Sequence, residues 1–510
     1  MKQSVFLIMF LMGLLIVGHN FAQTSKRPNI LVIFSDDHTN QSISAYGSKL
    51  MQTPNIDQIA KQGAIFKHTF VTNSICAPSR AVLLTGKYSH INGLIDNRAN
   101  RNFDGSQVQV QKLLGHANYQ TAWIGKWHLQ SLPVGFDYWK VLPDQGHYFQ
   151  PDFVEMTKDT VRYNGYVTNL ISDFSLGWLD KRDTSKPFFM VIGEKATHRN
   201  WMPAVEDLGA YDAQQFPMPD NFFDTYEGRT AALEQDMTVN KTMTIRDDLK
   251  MNINYDQPGM FGRLTPAEKL VYKNYYGKIA LEYEKVKSDS IALIKWKYQR
   301  YLKDYLATAK SLDRNIGRIL AYLEKSGLAE NTVVMYASDQ GFYLGEHGWY
   351  DKRFMYEESF RTPLIAWWPG HIKPGSVNTD LVQNIDFAET FLDLAGAPIP
   401  DDMQGRSIVP LLKGEKPADW RTSLYYHYYE YPQPHHVAPH YGIITDRYKL
   451  VRYYGNGETK TDLFDSEKDP LELKSFFGQP GYVSVQADLE ARLAKLRVDL
   501  KVPEVEDEYA

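Results

Sequence analysis

Five short, almost wholly apolar runs constrain this chain most: Ile30 to Phe34, Thr121 to Ile124, Phe188 to Ile192, Val333 to Ala337 and Leu364 to Trp367. Runs this short without polar alternation read as strands buried on both faces, the habit of a mostly parallel sheet covered by helices. Helical patterns lie between them, near Asn55 to Gln62 and Val108 to Leu114. A longer one carries Leu312, Ile316, Ile319, Leu320 and Leu323 at spacings of three and four, with Gly327 placed to end it. The predicted class is therefore α/β, a large mixed, mostly parallel sheet sandwiched by helices. Four of the runs lead straight into polar residues: Ser35-Asp36-Asp37, Gly125-Lys126-Trp127-His128, Glu194-Lys195 with His198, and Ser338-Asp339-Gln340-Gly341. Ligands of open α/β sheets bind beyond the carboxyl ends of the strands, so these distant segments are expected to meet at one site.

Between Tyr211 and Arg300 the chain is charged, aromatic-rich and weakly periodic, which reads as an insertion within the large domain. After Pro410 strand-like pieces appear at Tyr441 to Thr445, Lys449 to Tyr454 and Leu463 to Phe464. They are followed by a helical segment, Ala487 to Leu500. The expected division is residues 1–22 as a signal peptide, 27–410 as the catalytic domain, and 411–510 as a small antiparallel sheet plus helix. Lys2, the apolar run Val5 to Val17 and the small Ala22 give the first segment its secretory character, although a membrane anchor is the competing reading. No Cys follows where a lipoprotein would need one, so a periplasmic or secreted chain without a membrane span after cleavage is expected. With 56 basic and 61 acidic residues the net charge is −5, which argues against a nucleic-acid partner.

An exported chain with one cysteine forms no internal disulfide, so Cys76 is either an apolar filler or a reactive group. Its context, Cys76-Ala77-Pro78-Ser79-Arg80 with Thr85-Gly86 downstream, puts Pro in the first turn of a helix and Cys76 at its N-terminus, where an anion is favoured. This segment resembles the Cys-x-Pro-Ser-Arg signature of type I, formylglycine-dependent sulfatases of the alkaline phosphatase superfamily. Other landmarks fall in the order of that family: Pro28-Asn29-Ile30 through Asp36-Asp37, Thr53-Pro54-Asn55-Ile56-Asp57, Gly125-Lys126-Trp127-His128 and Ser338-Asp339-Gln340-Gly341. The resemblance runs from about residue 27 to the last helical segment and implies the alkaline phosphatase-like fold.

Asp36, Asp37, Asp339 and Gln340 form an oxygen-only set suited to a hard cation such as Ca²⁺ and less natural for zinc. Gln340 stands where the family commonly has Asn or His, yet it still offers a carbonyl oxygen. The resemblance implies one Ca²⁺ per chain beside Cys76, and a maturing enzyme that oxidises Cys76 to formylglycine. Hydrated, that aldehyde attacks sulfur with one hydroxyl, and collapse through the second expels sulfate. Arg80 would steady the hydrate, Lys126 and His128 would hold sulfate and take the second hydroxyl's proton, and His198 and Lys352 would bind sulfate and assist the leaving oxygen, with His198 as the acid.

The stretch Gly345 to Tyr356 and the run His435 to Gly442 look similar to bacterial sulfatases acting on the 6-O-sulfate of N-acetylglucosamine in host glycans. Asp351, Arg353 and His440 are then expected to hydrogen-bond sugar hydroxyls, with aromatics from Asp144 to Phe153 as a wall for the ring. Two alternatives stay open. A phosphoryl-transfer enzyme of the same fold would prefer aryl phosphate over aryl sulfate. A non-catalytic glycan-binding relative would keep Cys76 unmodified.

Overall fold

A computed structural model of the protein describes residues 27–432, 434–455 and 459–503. The expected signal segment, residues 1–22, lies outside the described residues. All five apolar runs are strands, at Asn29–Ser35, Gln120–Lys126, Phe188–Gly193, Thr332–Ser338 and Leu364–Trp367. They belong to a ten-stranded sheet whose centre runs Leu364–Trp367, Thr332–Ser338, Asn29–Ser35, Phe188–Gly193, Gln120–Lys126 and Tyr138–Leu142. The last five of these are mutually parallel, while Leu364–Trp367 is antiparallel to both of its neighbours, so the sheet is mixed.

The first strand explains why its sequence is apolar throughout. Ile30, Val32 and Phe34 enter a core with Leu83, Leu84, Phe387 and Phe391 on one face. Leu31 and Ile33 enter another with Ile56, Ile59, Leu312 and Ile316 on the opposite face. Because successive side chains point to opposite faces, a strand covered on both sides has no position for a polar residue until it ends. At that end the chains close tightly: Gly125 has φ +103°, and a Cβ there would sit 2.0 Å from the Gly193 carbonyl oxygen. Only glycine allows the two strands to approach this closely just before Lys126.

The insertion expected over Tyr211 to Arg300 is more regular than its weak periodicity implied. It contains a helix at Pro266–Val286 and the start of the 36-residue helix Ser290–Lys325, whose second half is the predicted leucine-rich helix. Local signals specify both starts. Thr265 and Glu268 form a reciprocal capping box ahead of Pro266, and the Asp289 carboxylate accepts from the N–H groups of Ile291 and Ala292.

Towards the C-terminus, strands Leu424–Tyr428, His440–Ile444, Tyr448–Tyr453 and Lys460–Asp465 form an antiparallel sheet. The helix Val483–Asp499 lays Leu489 and Leu493 against Tyr425, Ile443 and Leu450 of that sheet. Its other face packs Tyr426, Tyr428 and Tyr453 against Trp349, Phe354 and Tyr356. The small sheet therefore buttresses the segment that carries Lys352. Among the described residues no helix is long and apolar enough to cross a membrane.

Candidate active site

The polar residues at the strand ends converge. The helix Cys76–Thr85 begins at Cys76 after Ile75 in extended conformation, and every residue of it is buried. Its N-terminus lacks a cap from its own side chains, and the Ala77 N–H instead donates to Asn97 Oδ1 at 3.1 Å. Each of three buried carboxylates has a cation hydrogen-bonded to it, and Arg80 NH2 also stands 3.8 Å from Asp36 Oδ2. Lys126 Nζ donates to Asp36 Oδ2, Lys352 Nζ donates to Asp37 Oδ1 at 2.6 Å, and Arg80 donates to Asp339 Oδ2 from Nε at 3.2 Å and from NH2 at 2.9 Å. The same guanidinium donates to the Lys126 carbonyl at 3.1 Å, tying the helix to the central strand.

Burial and charge pull these acids apart. Burial alone would raise Asp36, but Lys126, His198, Arg80 and Lys352 together hold it well below the usual carboxylate range. For Asp37 burial prevails over Lys352 and, with Asp36 and Asp351 nearby, the carboxyl is pushed up to about 6. Burial and the neighbouring Asp36 push Asp339 up to about 7 despite Arg80. Asp37 and Asp339 are raised chiefly by burial, and a cation bound against them would return both to the charged form.

The donor set passes a test for a bound cation. Oxygen atoms of Asp36, Asp37 and Asp339 lie within 4.8 Å of one another. Two further acceptors at this place, Asp37 Oδ2 and Gln340 Oε1, are buried without any hydrogen-bond partner. Orphaned buried acceptors are costly, and a hard ion with oxygen ligands would satisfy both. The Gln340 amide reaches the set through its Nε2, which donates to Asp37 Oδ1 at 2.5 Å.

Cys76 Sγ lies 3.4 Å from Asp36 Oδ1 and 3.4 Å from Lys352 Nζ. Its position at a helix N-terminus led to the expectation of a favoured anion. Instead, burial and Asp36 push the thiol up and outweigh Lys352 and Lys126. As a plain thiol, residue 76 is a poor nucleophile at neutral pH.

His198 Nδ1 donates to the Arg199 carbonyl at 2.7 Å, which leaves Nε2 as the free ring nitrogen. A ring nitrogen of His198 lies within 4.8 Å of the nearest Asp36 oxygen and of Cys76 Sγ. Burial and the cations Lys126, Lys352 and Lys195 hold its pKa well below the ordinary value, with Asp36 opposing them. His128 joins the group indirectly, through Gln145, whose amide bridges it to Lys126.

Above Cys76 opens a cleft of about 450 Å³, lined among others by Asp37, His198, Tyr350, Asp351, Lys352 and Arg353. Asp351 (φ +81°) and Arg353 (φ +99°) hold strained left-handed backbone on either side of Lys352. Both are anchored: His435 Nε2 lies 2.9 Å from Asp351 Oδ2, and Arg353 NH1 donates to Glu430 and to Tyr428 Oη.

Two expectations are corrected here. His440 does not reach the cleft. It is fully buried on its strand, Nδ1 donating to the Ala438 carbonyl at 2.7 Å and Nε2 accepting from the Met355 N–H at 3.1 Å, among Phe354, Tyr426, Tyr428 and Tyr453. Both ring nitrogens are used, so it has nothing left for a sugar. The aromatics Tyr148, Phe149 and Phe153 likewise belong to the interior core, and Phe342 and Tyr350 are the rings that line the cleft. Sequence reasoning missed Gln145, Arg199 and Glu430 among the lining residues, and from the run His435 to Gly442 it chose His440 where His435 lines the cleft. For Gln145 a signal existed, since it follows the parallel strand Tyr138–Leu142 on the edge already marked by the other site residues.

Comparison with known proteins agrees with this geometry. A family model described as Sulfatase matches residues 28–397, and one described as the C-terminal part of N-sulphoglucosamine sulphohydrolase matches residues 345–499. An N-acetylglucosamine-6-O-sulfatase of Bacteroides thetaiotaomicron is 46% identical over 493 residues, covering 94% of this chain and 88% of that protein. An N-acetylglucosamine-6-sulfatase of Capra hircus is 27% identical, covering 80% and 67%. A solved structure of a protein in complex with its substrate, D-glucosamine-2-N,6-O-disulfate, matches with a TM-score of 0.91 at 45% identity, covering 94% of this chain and 99% of that one. Since the first model spans most of the chain and the fold and strand-end residues are those its signature implied, the chain belongs to the sulfatase family.

Proposed function

We propose that this sulfatase removes the 6-O-sulfate from a terminal N-acetylglucosamine, or a related N-substituted glucosamine, of glycosaminoglycan or mucin-type glycans. The observation that carries the reading is the 46% identical N-acetylglucosamine-6-O-sulfatase, which matches nearly the whole chain. The match to a structure holding a 6-O-sulfated glucosamine supports it. We assign a signal peptide to residues 1–22, a catalytic domain to 27–410 and a supporting subdomain to 411–510, in a periplasmic or secreted protein.

Ca²⁺ held by Asp36, Asp37, Asp339 and Gln340, with residue 76 beside it, would supply positive charge that screens an anionic sulfate. Oxidation of Cys76 by a formylglycine-generating enzyme would supply an aldehyde whose hydrate is both nucleophile and exit route. The chain's own side chains do the rest. Arg80, already fixed by Asp339, holds charge at residue 76 in place. Lys126 and Lys352 point their ammonium groups into the same space and neutralise sulfate oxygens. His128 takes a proton from a hydroxyl on residue 76 as sulfate departs. His198 Nε2 gives a proton to the sugar oxygen. Burial first, and then the cations Lys126, Lys352 and Lys195, keep free His198 neutral; a bound sulfate offsets the cations and so shifts the ring towards its protonated form. Asp351 and Arg353, aimed at the cleft, would hold sugar hydroxyls.

A panel of sulfated mono- and disaccharides tests the reading on protein co-expressed with the maturing enzyme. Desulfation of 6-O-sulfated glucosamines is expected at rates well above those for 2-O- or 4-O-sulfated sugars. Preference for another position, or for aryl phosphate, would contradict it. In the same assay His198→Ala is expected to slow sugar sulfates by about 10²-fold or more, in the range of general acid catalysis. Aryl sulfates, whose leaving groups need little protonation, should lose far less. Equal losses on both would remove the acid role.

A further inference from the structure

Lys126 and His128 arrive on the same strand end but do not touch one another, and the residue that joins them comes from a different loop. Gln145 Oε1 accepts from Lys126 Nζ at 2.6 Å, and Gln145 Nε2 lies 3.1 Å from His128 Nε2. The Gln145 carbonyl in turn accepts from the buried Lys195 Nζ at 3.0 Å, at the end of the neighbouring strand. We propose that Gln145 is a positioning residue for the sulfatase reaction, its one amide fixing the ammonium of Lys126 and the tautomer of His128 together.

The amide's orientation follows from donor chemistry. An ammonium only donates, so the Gln145 atom facing Lys126 is the oxygen, and the NH₂ group is left to face His128. An NH₂ group only donates, so His128 Nε2 accepts and the neutral ring carries its proton on Nδ1. Nδ1 is buried with no partner in the structure; carrying the neutral ring's proton it can only donate, to a substrate oxygen, and the proton His128 takes from residue 76 enters at Nε2, the nitrogen with the lone pair. The opposite state is also provided for. Asp144 Oδ1 stands 3.5 Å from the same His128 Nε2 and can accept once that nitrogen gains a proton. Gln145 thus serves the neutral ring and Asp144 the charged one, and neither can replace the other. The Lys195 clamp on the carbonyl keeps the amide in register with both partners.

The inference rests on the roles given to Lys126 and His128 above, and kinetics on matured protein separate the two. If the function were wrong, the unmutated protein would not desulfate N-acetylglucosamine-6-sulfate at all. Given an active enzyme, Gln145→Met, which keeps the length and removes both hydrogen bonds, is expected to lower kcat ten- to hundredfold with KM within about threefold. Gln145→Glu keeps an acceptor for Lys126 but has no donor for His128, and it should also lose kcat and leave KM nearly unchanged. On a His128→Ala background the loss caused by Gln145→Glu should shrink to less than about threefold, because the partner it acts through is gone. Wild-type kcat in either variant would overturn the proposal. So would a loss confined to KM, which would make Gln145 a sugar or sulfate contact, or full additivity with His128→Ala.

Discussion

Protein carrying Cys76→Ala is expected to lose turnover by at least about 10⁴-fold relative to the matured parent, the scale seen when a covalent nucleophile is removed, while its affinity for N-acetylglucosamine-6-sulfate stays within severalfold of the parent. The thiol is buried between Asp36 and Lys352, but none of the three carboxylate–cation pairs depends on it. Truncation removes one sulfur and leaves the groups that receive the sulfate in place. Cys76→Ser separates chemistry from packing more sharply. A single hydroxyl could attack sulfur once, but it cannot collapse to a carbonyl to expel sulfate, so no more than one turnover per chain is expected. Rate measurements paired with titration calorimetry check both variants. Joint loss of binding and folding would mark Cys76 as a packing residue.

Removal of divalent ions should have the second large effect. Asp37 and Asp339 are pushed up to about 6 and about 7 chiefly by burial, and Asp37 Oδ2 and Gln340 Oε1 have no partner. An ion bound only by the folded chain stabilises it by about 2.7 kcal/mol at a hundred times its dissociation constant. Chelation with EGTA is therefore expected to abolish activity and to lower the melting temperature by several degrees, both restored by Ca²⁺. Asp37→Asn, which keeps shape but removes a charge, should respond to Ca²⁺ only at much higher concentration, in calorimetry as well as in melting. Melting that is indifferent to EGTA and Ca²⁺ in the parent protein would exclude the cation site.

The sheet and the grouping of most candidate-site residues at its edge were legible in the sequence for one reason. Parallel strands buried on both faces, such as Asn29–Ser35 and Thr332–Ser338, cannot tolerate polar residues until they end, so the first polar residues mark the functional edge. Asp36, Asp37, Lys126, Asp339 and Gln340 follow from that rule. The helix that starts at Cys76 was legible through Pro78, in its first turn. What could not be read depends on packing between distant segments. His440 sits in a polar-looking run, yet it lies in a strand whose neighbours cover it with Phe354, Tyr428 and Tyr453. Gln145 looks like an ordinary loop residue until Lys195, Lys126 and His128 surround it. The helix Pro266–Val286 has little amphipathic contrast because only Tyr272, Tyr276 and Ile279 are buried on it, so its local signals were the capping box and Pro266 at its start.

One mass decides the central claim. The chain's lone cysteine makes the reading unambiguous. In active protein matured in its own host, the peptide containing residue 76 should weigh about 18 Da less than its sequence requires, through exchange of sulfur for oxygen and loss of hydrogen, and it should react with a carbonyl-specific hydrazide. Active enzyme whose Cys76 peptide has the unmodified mass and ignores the hydrazide would contradict the account.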